Sequence, residues 1–341
     1  MKSGAKRALR WLFSLAMLIA VVLYGRTIDW PTAWTAIRSA SWPILLIATL
    51  ANFITLAAKA LTWWIFLRPV GVPSLSLAIK ATVAGAGLNN VLVANSGDAA
   101  RVVFVTRASN APSAAVLAAL ALERLFDLIG YIVLMASAAY LLPMPHEVAR
   151  WRFAAVGVLL GIAILFGVLL KRSPEIAAVT VHPTTIAGRV RTYLHRFMAS
   201  VRDILTIQRI ALAMVLSLVN WVAQIATYHL VAVAAHFPIS IPGSIATLIT
   251  ANVGFVVRAT PGNVGVFQVV YGVTAQALGL DKAAAVAVAL LLQLIQNVPV
   301  TLLAIVIAPD LILHWRDKRV AAAPDIAPRR RASDGAIERG D

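Results

Sequence analysis

Five ionisable residues stand close together in an otherwise apolar stretch: Asp98, Arg101, Glu123, Arg124 and Asp127. Asp98 and Arg101 are three apart, Glu123 and Asp127 four apart, and Arg124 precedes Asp127 by three. On a helix each spacing puts two side chains on one face. Carboxylates and guanidiniums so placed form ion networks, which buried charges need. Such groups also have chemistry of their own. Arginines bind phosphate bidentately, and carboxylates hold or pass protons. One Asp, Lys or Arg at the centre of a membrane helix costs about 3 kcal/mol on insertion scales. Five together therefore read as a set in use.

Two uses stay open. The network could pin one segment to another. Alternatively, Arg101, Arg124 and Arg258, with Asn95, could bind an anionic lipid headgroup, while Asp98, Glu123 and Asp127 position the arginines or relay protons. Helix starts near Gly97 and Gly262 would add backbone N–H donors to such a site.

The rest of the composition narrows the setting. Of 341 residues 60% are hydrophobic and 13% charged, with mean hydropathy +0.84. Soluble domains are about half apolar and a quarter charged, so this is a polytopic membrane protein. There are no cysteines, which excludes disulfides and thiolate chemistry. The six histidines show no metal-binding spacing such as HExxH, and no GxSxG elbow occurs. Gly85-Ala-Gly87-Leu-Asn-Asn90 lacks the third glycine and the preceding strand of a dinucleotide loop. No cofactor, metal or enzyme activity is expected. The net charge of +16 comes from bases clustered at the N-terminus, between Lys171 and Arg209, and after His314. Such clusters mark cytoplasmic loops rather than nucleic-acid binding.

These residues must be carried by membrane helices. Residues 1–25 form an N-terminal anchor span, preceded by Lys2, Lys6, Arg7 and Arg10; no small-x-small cleavage site follows it. Residues 26–40 read as an outside connection, and Trp42–Leu67 as the second span. Lys59 within it is expected to snorkel to an interface. Residues 78–107 are broken by Gly85, Gly87, Asn89, Asn90, Asn95, Ser96 and Gly97. That density argues against one continuous helix and predicts a re-entrant helical hairpin, which is allowed only against protein or a wet cavity. Ala114–Leu141 spans next, and Phe153–Leu170 returns. The basic loop 171–209 carries an amphipathic helix with Tyr193, Leu194, Phe197, Met198 and Val201 on its apolar face, suited to an anionic leaflet. Ala211–Ala235 is a span. Residues 244–270 are broken again, by Pro261, Gly262, Asn263 and Gly265 ahead of Gln268, and read as a second hairpin. Ala283–Ile307 is the last span. Residues 316–341 form a disordered basic tail.

The halves 41–170 and 210–308 repeat each other. Asn52 corresponds to Asn220, Pro73 to Pro242, Gly97-Asp98 to Gly262-Asn263, and Glu123–Asp127 to Gln293–Asn297. An odd crossing between them inverts the second half. Inverted repeats with discontinuous helices are a transporter arrangement. The expected fold is all-α: about six full spans plus two re-entrant hairpins in inverted repeats, both termini cytoplasmic.

Asn95-Ser-Gly97-Asp98-Ala-Ala-Arg101, Glu123-Arg124-Leu-Phe-Asp127 and Pro261-Gly262-Asn263-Val-Gly265-Val-Phe-Gln268 together resemble motifs of the lysylphosphatidylglycerol synthase transmembrane family, also described as flippase-like membrane proteins. The resemblance spans roughly residues 10–310. It implies movement of an anionic or polyprenyl-linked envelope lipid between leaflets. The alternative it implies is a non-transporting accessory subunit of a lipid-modifying or glycosyltransferase complex, including hopanoid or aminoacyl-lipid pathways. The expected partners are membrane lipids, and in the second case a lipid-modifying enzyme. The large soluble aminoacyl-transfer domain of the synthases has no counterpart here, so synthesis of the lysyl-lipid is not expected.

Overall fold

A computed structural model describes residues 30–91, 96–141, 186–254 and 263–307, with single positions at 26, 157 and 161. The described residues are helical, with no strand among them. Ten α-helices follow in order: α1 (Trp30–Arg38), α2 (Trp42–Leu67), α3 (Leu75–Val91), α4 (Ser96–Ser109), α5 (Ser113–Leu141), α6 (Ile186–Ile204), α7 (Ile207–Ala234), α8 (Ile241–Gly254), α9 (Val266–Ala277) and α10 (Lys282–Ile307). The N-terminal span 1–25, the tail 316–341, and Asn95, Arg258, Pro261 and Gly262 lie outside the described residues, as does nearly all of the span 153–170.

Three helices, α2, α7 and α10, are long and apolar enough to cross a membrane. Their exposed residues are apolar: Leu46, Leu50 and Ile54 on α2, Val215, Val219 and Val222 on α7, Leu294, Val298 and Leu302 on α10. A contiguous apolar outside at helical spacing suits lipid and not water. α5 is 29 residues long and carries the three ionisable residues Glu123, Arg124 and Asp127 along with its apolar faces.

α2 and α7 form the most extensive helix pair of the bundle. Ser41 N–H donates to Ala234 O, Thr227 Oγ1 to Ala48 O, and Thr55 Oγ1 to Asn220 O. As the chain advances along α2, its partner retreats along α7, so the two run antiparallel. The repeat expected from the sequence makes them equivalent elements, and an inverted pair of halves requires such elements to run antiparallel. The other pairings obey the exchange. α3 packs on α10 and α8 on α5; α4 packs on α5 and α9 on α10.

Both broken segments are antiparallel hairpins. In the first, Thr82 on α3 meets Arg101 on α4, and Asn89 meets Gly97. In the second, Thr274 on α9 donates to Thr250 on α8 at 2.9 Å. The second hairpin runs to Ala277, beyond the expected end at residue 270, because Val266–Ala277 continues as one helix up to the turn at Gly279. The connection expected over residues 26–40 holds α1 instead. Its Pro31 suits a helical first turn, and Ala33 and Ile37 turn inward.

Two apolar cores lie at the two ends of the α2/α7 pair. One gathers Trp63, Phe66, Val105, Val116, Phe126 and Ile204. The other gathers Leu45, Tyr228, Phe267, Tyr271, Val288 and Leu292. Between them sits a polar layer. Close helix crossings depend on glycine. A Cβ on Gly85 would lie 2.5 Å from Arg101 Cγ and 2.9 Å from Gly97 O.

Gly85→Ala is therefore expected to cost about 1–3 kcal/mol, the usual range for overpacking. Thermal unfolding of the detergent-purified variant checks this; an unchanged midpoint would show that the α3/α4 crossing is loose.

Candidate functional site

The charged residues converge on one cluster, built by α2, α3, α4, α5 and α7. Arg101 is its centre and is only 3% exposed. Its Nη1 lies 3.4 Å from Glu123 Oε2, its Nη2 donates to Thr82 Oγ1 at 3.2 Å, and its guanidinium covers the Trp63 ring at 4.1 Å. A buried guanidinium needs each of these: a counter-ion, hydrogen-bond acceptors and a polarisable face. Glu123 is 1% exposed and also receives Arg124 Nε at 3.8 Å.

Arg124 faces outward from this core, with 41% of its side chain exposed. Its Nη2 meets both oxygens of Asp98, at 2.6 and 2.7 Å. Asp98 also lies 3.7 Å from Arg101. Asp98 therefore bridges the buried and the accessible arginine. Asp127 closes the other flank. Its Oδ1 accepts from Asn220 Nδ2 at 2.7 Å and its Oδ2 lies 3.4 Å from Lys59 Nζ.

Lys59 is the residue that sequence reasoning placed elsewhere. It does not snorkel to an interface but turns inward to Asp127. A signal was present: Asn52, Thr55 and Lys59 recur at three and four residues and so share one face of α2. With Lys59 the cluster holds three cations (Lys59, Arg101, Arg124) and three anions (Asp98, Glu123, Asp127), and is formally neutral.

Gly97 works at the foot of α4. Its N–H donates to Asn89 Oδ1 at 2.8 Å, so the N-terminal donor there is satisfied within the hairpin. Asn90 reaches across to α10, donating to Asn297 O and Thr301 Oγ1, each at 3.2 Å.

The second half repeats this arrangement without charge. Gln268 Nε2 donates to Gln293 Oε1 at 2.6 Å, both buried. Gln268 lies on α9 and Gln293 on α10, as Arg101 lies on α4 and Glu123 on α5. Gly265, whose φ of 89° favours glycine, donates its N–H to Gln268 Oε1 at 2.6 Å. Gly265 bonds within its own helix start, whereas Gly97 bonds across its hairpin to Asn89; Gly262, paired with Gly97 in the sequence, lies outside the described residues. Asn263 precedes Gly265, buried and also at positive φ. The flanking amides correspond too: Asn220 bonds Asp127 on α5, and Asn52 bonds Gln296 O on α10 at 3.5 Å.

An all-helical chain with two broken hairpins, each joined to the long helix that follows it by a buried polar pair, matches over residues 11–304 the family described as the lysylphosphatidylglycerol synthase TM region. The chain belongs to that family. It is a multi-pass membrane protein, and its family setting is that of membrane lipids. No curated protein matches the chain. Among the described residues no group of acidic, histidine or cysteine side chains is arranged to hold a metal.

The amide pair sets up a test of the charged pair. Removing one partner of a buried ion pair typically costs about 3–5 kcal/mol, because the other charge is left uncompensated. Arg101→Gln and Glu123→Gln should each show that loss. The double variant, which copies Gln268 and Gln293, should recover most of it in a thermal-unfolding double-mutant cycle. Additive losses would mean that the two residues are not coupled.

Proposed function

We propose that the protein is a flippase-like lipid transporter, not an enzyme, that moves an anionic or polyprenyl-linked envelope lipid between the leaflets of a bacterial inner membrane. In this reading both hairpins are re-entrant, six helices span fully, and both termini are cytoplasmic. The observation that carries it is the asymmetry between the halves. The same joint between hairpin and following helix is made by neutral amides in one half and by Asp98, Arg101, Glu123 and Arg124 in the other. A purely structural joint has no need of the charges. A lipid phosphate does: it requires cationic donors within the membrane.

Arg124 is the group placed to meet the headgroup first, since it is accessible while Arg101 is not. An incoming phosphate would replace the Asp98 carboxylate on Arg124, where Nη2 alone now meets both carboxylate oxygens, and would engage two guanidinium nitrogens bidentately. Arg101, held by Glu123 and Trp63, would supply positive potential from behind. Arg258 and Asn95 complete the proposed headgroup set from the opposed and the same hairpin.

One observation favours the second reading, an accessory subunit of a lipid-modifying complex. α6 buries Val201 and Ile204 against the bundle yet leaves Tyr193, Leu194 and Met198 exposed beside Arg196. An enzyme could dock on that face.

Scrambling of fluorescent phosphatidylglycerol in proteoliposomes discriminates the two. Hydrogen bonds to charged groups contribute about 1.5–3 kcal/mol, so Arg124→Gln and Asp98→Asn are each expected to slow transfer about tenfold or more. Transfer at the wild-type rate in both variants, or none by the wild type across a panel of anionic lipids, would sink the transporter reading. Co-purification with a lipid-modifying enzyme and no transfer alone would favour the accessory reading.

A further inference from the structure

The charge cluster contains two acceptor atoms that its ion pairs leave unused. Glu123, Asn220, Lys59, Asp127 and Ser217 line a cavity with about 10 Å³ of free volume, room for one water molecule. Glu123 Oε2 serves Arg101 and Arg124, but Oε1 has no hydrogen-bond donor in the protein. Asn220 gives its Nδ2 to Asp127, which orients the amide, and its Oδ1 likewise has no donor. Glu123 and Asn220 are 1% and 2% exposed. Two buried acceptors on one small cavity need hydrogens, which one neutral water supplies to both in the resting cluster.

Charge decides which species can join them when an anion enters. Lys59 lines the cavity, and Arg101 and Arg124 pair with the Glu123 that lines it, so a metal cation would enter beside three positive groups with its charge unshielded. A proton binds covalently to one carboxylate oxygen, neutralises it, and turns it into a donor. From Glu123 Oε1 that donor faces the cavity onto which Asn220 also opens, and a single water there carries the hydrogen bond to Asn220 Oδ1. We infer that Glu123 Oε1 and Asn220 Oδ1 form a proton-binding site, and that one proton is taken up there for each negative headgroup charge admitted to the cluster. The inference rests on the transport reading above. In the step, a proton from water adds to a lone pair of Oε1; no headgroup bond breaks and no electron is transferred. Protonation leaves the cluster at a net charge of +1, and an anionic headgroup restores neutrality. Loss of the proton reverses the balance and releases the lipid.

The other charged groups facing Glu123 are Lys59 from α2, Asp98 and Arg101 from α4, and Arg124 and Asp127 from its own helix. α3 presents Thr82, and α7 presents Ser217 and Asn220. Arg209 on α7 is turned to the carbonyls of Asp203 and Ile204, and His229 to Ser244.

Infrared difference spectroscopy of the full chain in phosphatidylglycerol nanodiscs, stepped from alkaline to acidic buffer, tests the site without reference to transport. A protonated-carboxyl band is expected that is lost in Glu123→Gln. In Asn220→Val, which leaves the Arg101–Glu123 pair intact, the band should shift as its acceptor is removed. Absence of the band, or its persistence unchanged in both variants, overturns the inference. Proteoliposomes with an imposed pH gradient separate the two claims. Lipid transfer that ignores the gradient, with no band, defeats the proton site and leaves transport standing. The band with no transfer supports the site and defeats the transport reading.

Discussion

Arg101 cannot be buried alone, and much of the first half follows from that constraint. A guanidinium without a counter-charge in an apolar bundle is prohibitively costly. Glu123 must therefore come from α5, which sets the rotation of that helix against α4. Thr82 and Trp63 must come from α3 and α2. Gly85 must be small, because the aliphatic stem of Arg101 lies against it. Once Glu123 faces inward, Arg124 points to the edge of the cluster and Asp127, one turn on, faces α7. There Asn220 and Lys59 receive it. A single buried cation thus fixes the meeting of five helices.

The antiparallel pair sets the limits of this cluster. Each end of the α2/α7 pair carries an apolar core, and polar side chains gather between the two. Asn52, Thr55 and Asn220 lie along that seam, and the charged cluster extends from it on one side only. On the other side Gln268 and Gln293 close the joint with one short hydrogen bond. An amide pair carries no net charge to desolvate, so it can join two helices with no further support. The charged version needs a ring of partners, and it is this ring that creates a cavity with spare acceptors.

Much of this was legible in the chain. Trp42–Leu67 was delimited correctly because a mostly apolar run lies between Ser41 and Arg68-Pro69. The breaks near residues 90 and 260 were visible as Gly and Asn clusters, and the order of polar residues in the two halves suggested a repeat. What stayed hidden was long-range. Lys59 looked like a lysine near a helix end, since nothing local announces that Asp127, 68 residues on, will face it. α1 was read as a loop because its nine residues are too few for a clear period and open on Trp-Pro.

The difference in exposure between the two arginines bears on how such a cluster could act. Arg101 is surrounded by groups that do not compete with solvent: an aromatic face, a hydroxyl and a carboxylate in contact. Displacing any of them would expose a buried charge, so Arg101 is suited to hold potential and not to exchange ligands. Arg124 is different. Its strongest contact is with Asp98, on a separate helix and itself partly exposed. Breaking that contact moves a carboxylate and a guanidinium that both already reach the surface, so little desolvation is undone. Exchange at Arg124 and permanence at Arg101 follow from burial alone. Because Asp98 also lies near Arg101, release of Asp98 from Arg124 lets it fall back on the buried arginine rather than remain unpaired. The bridge made by Asp98 is thus what allows one pair to open while the cluster around Arg101 stays balanced.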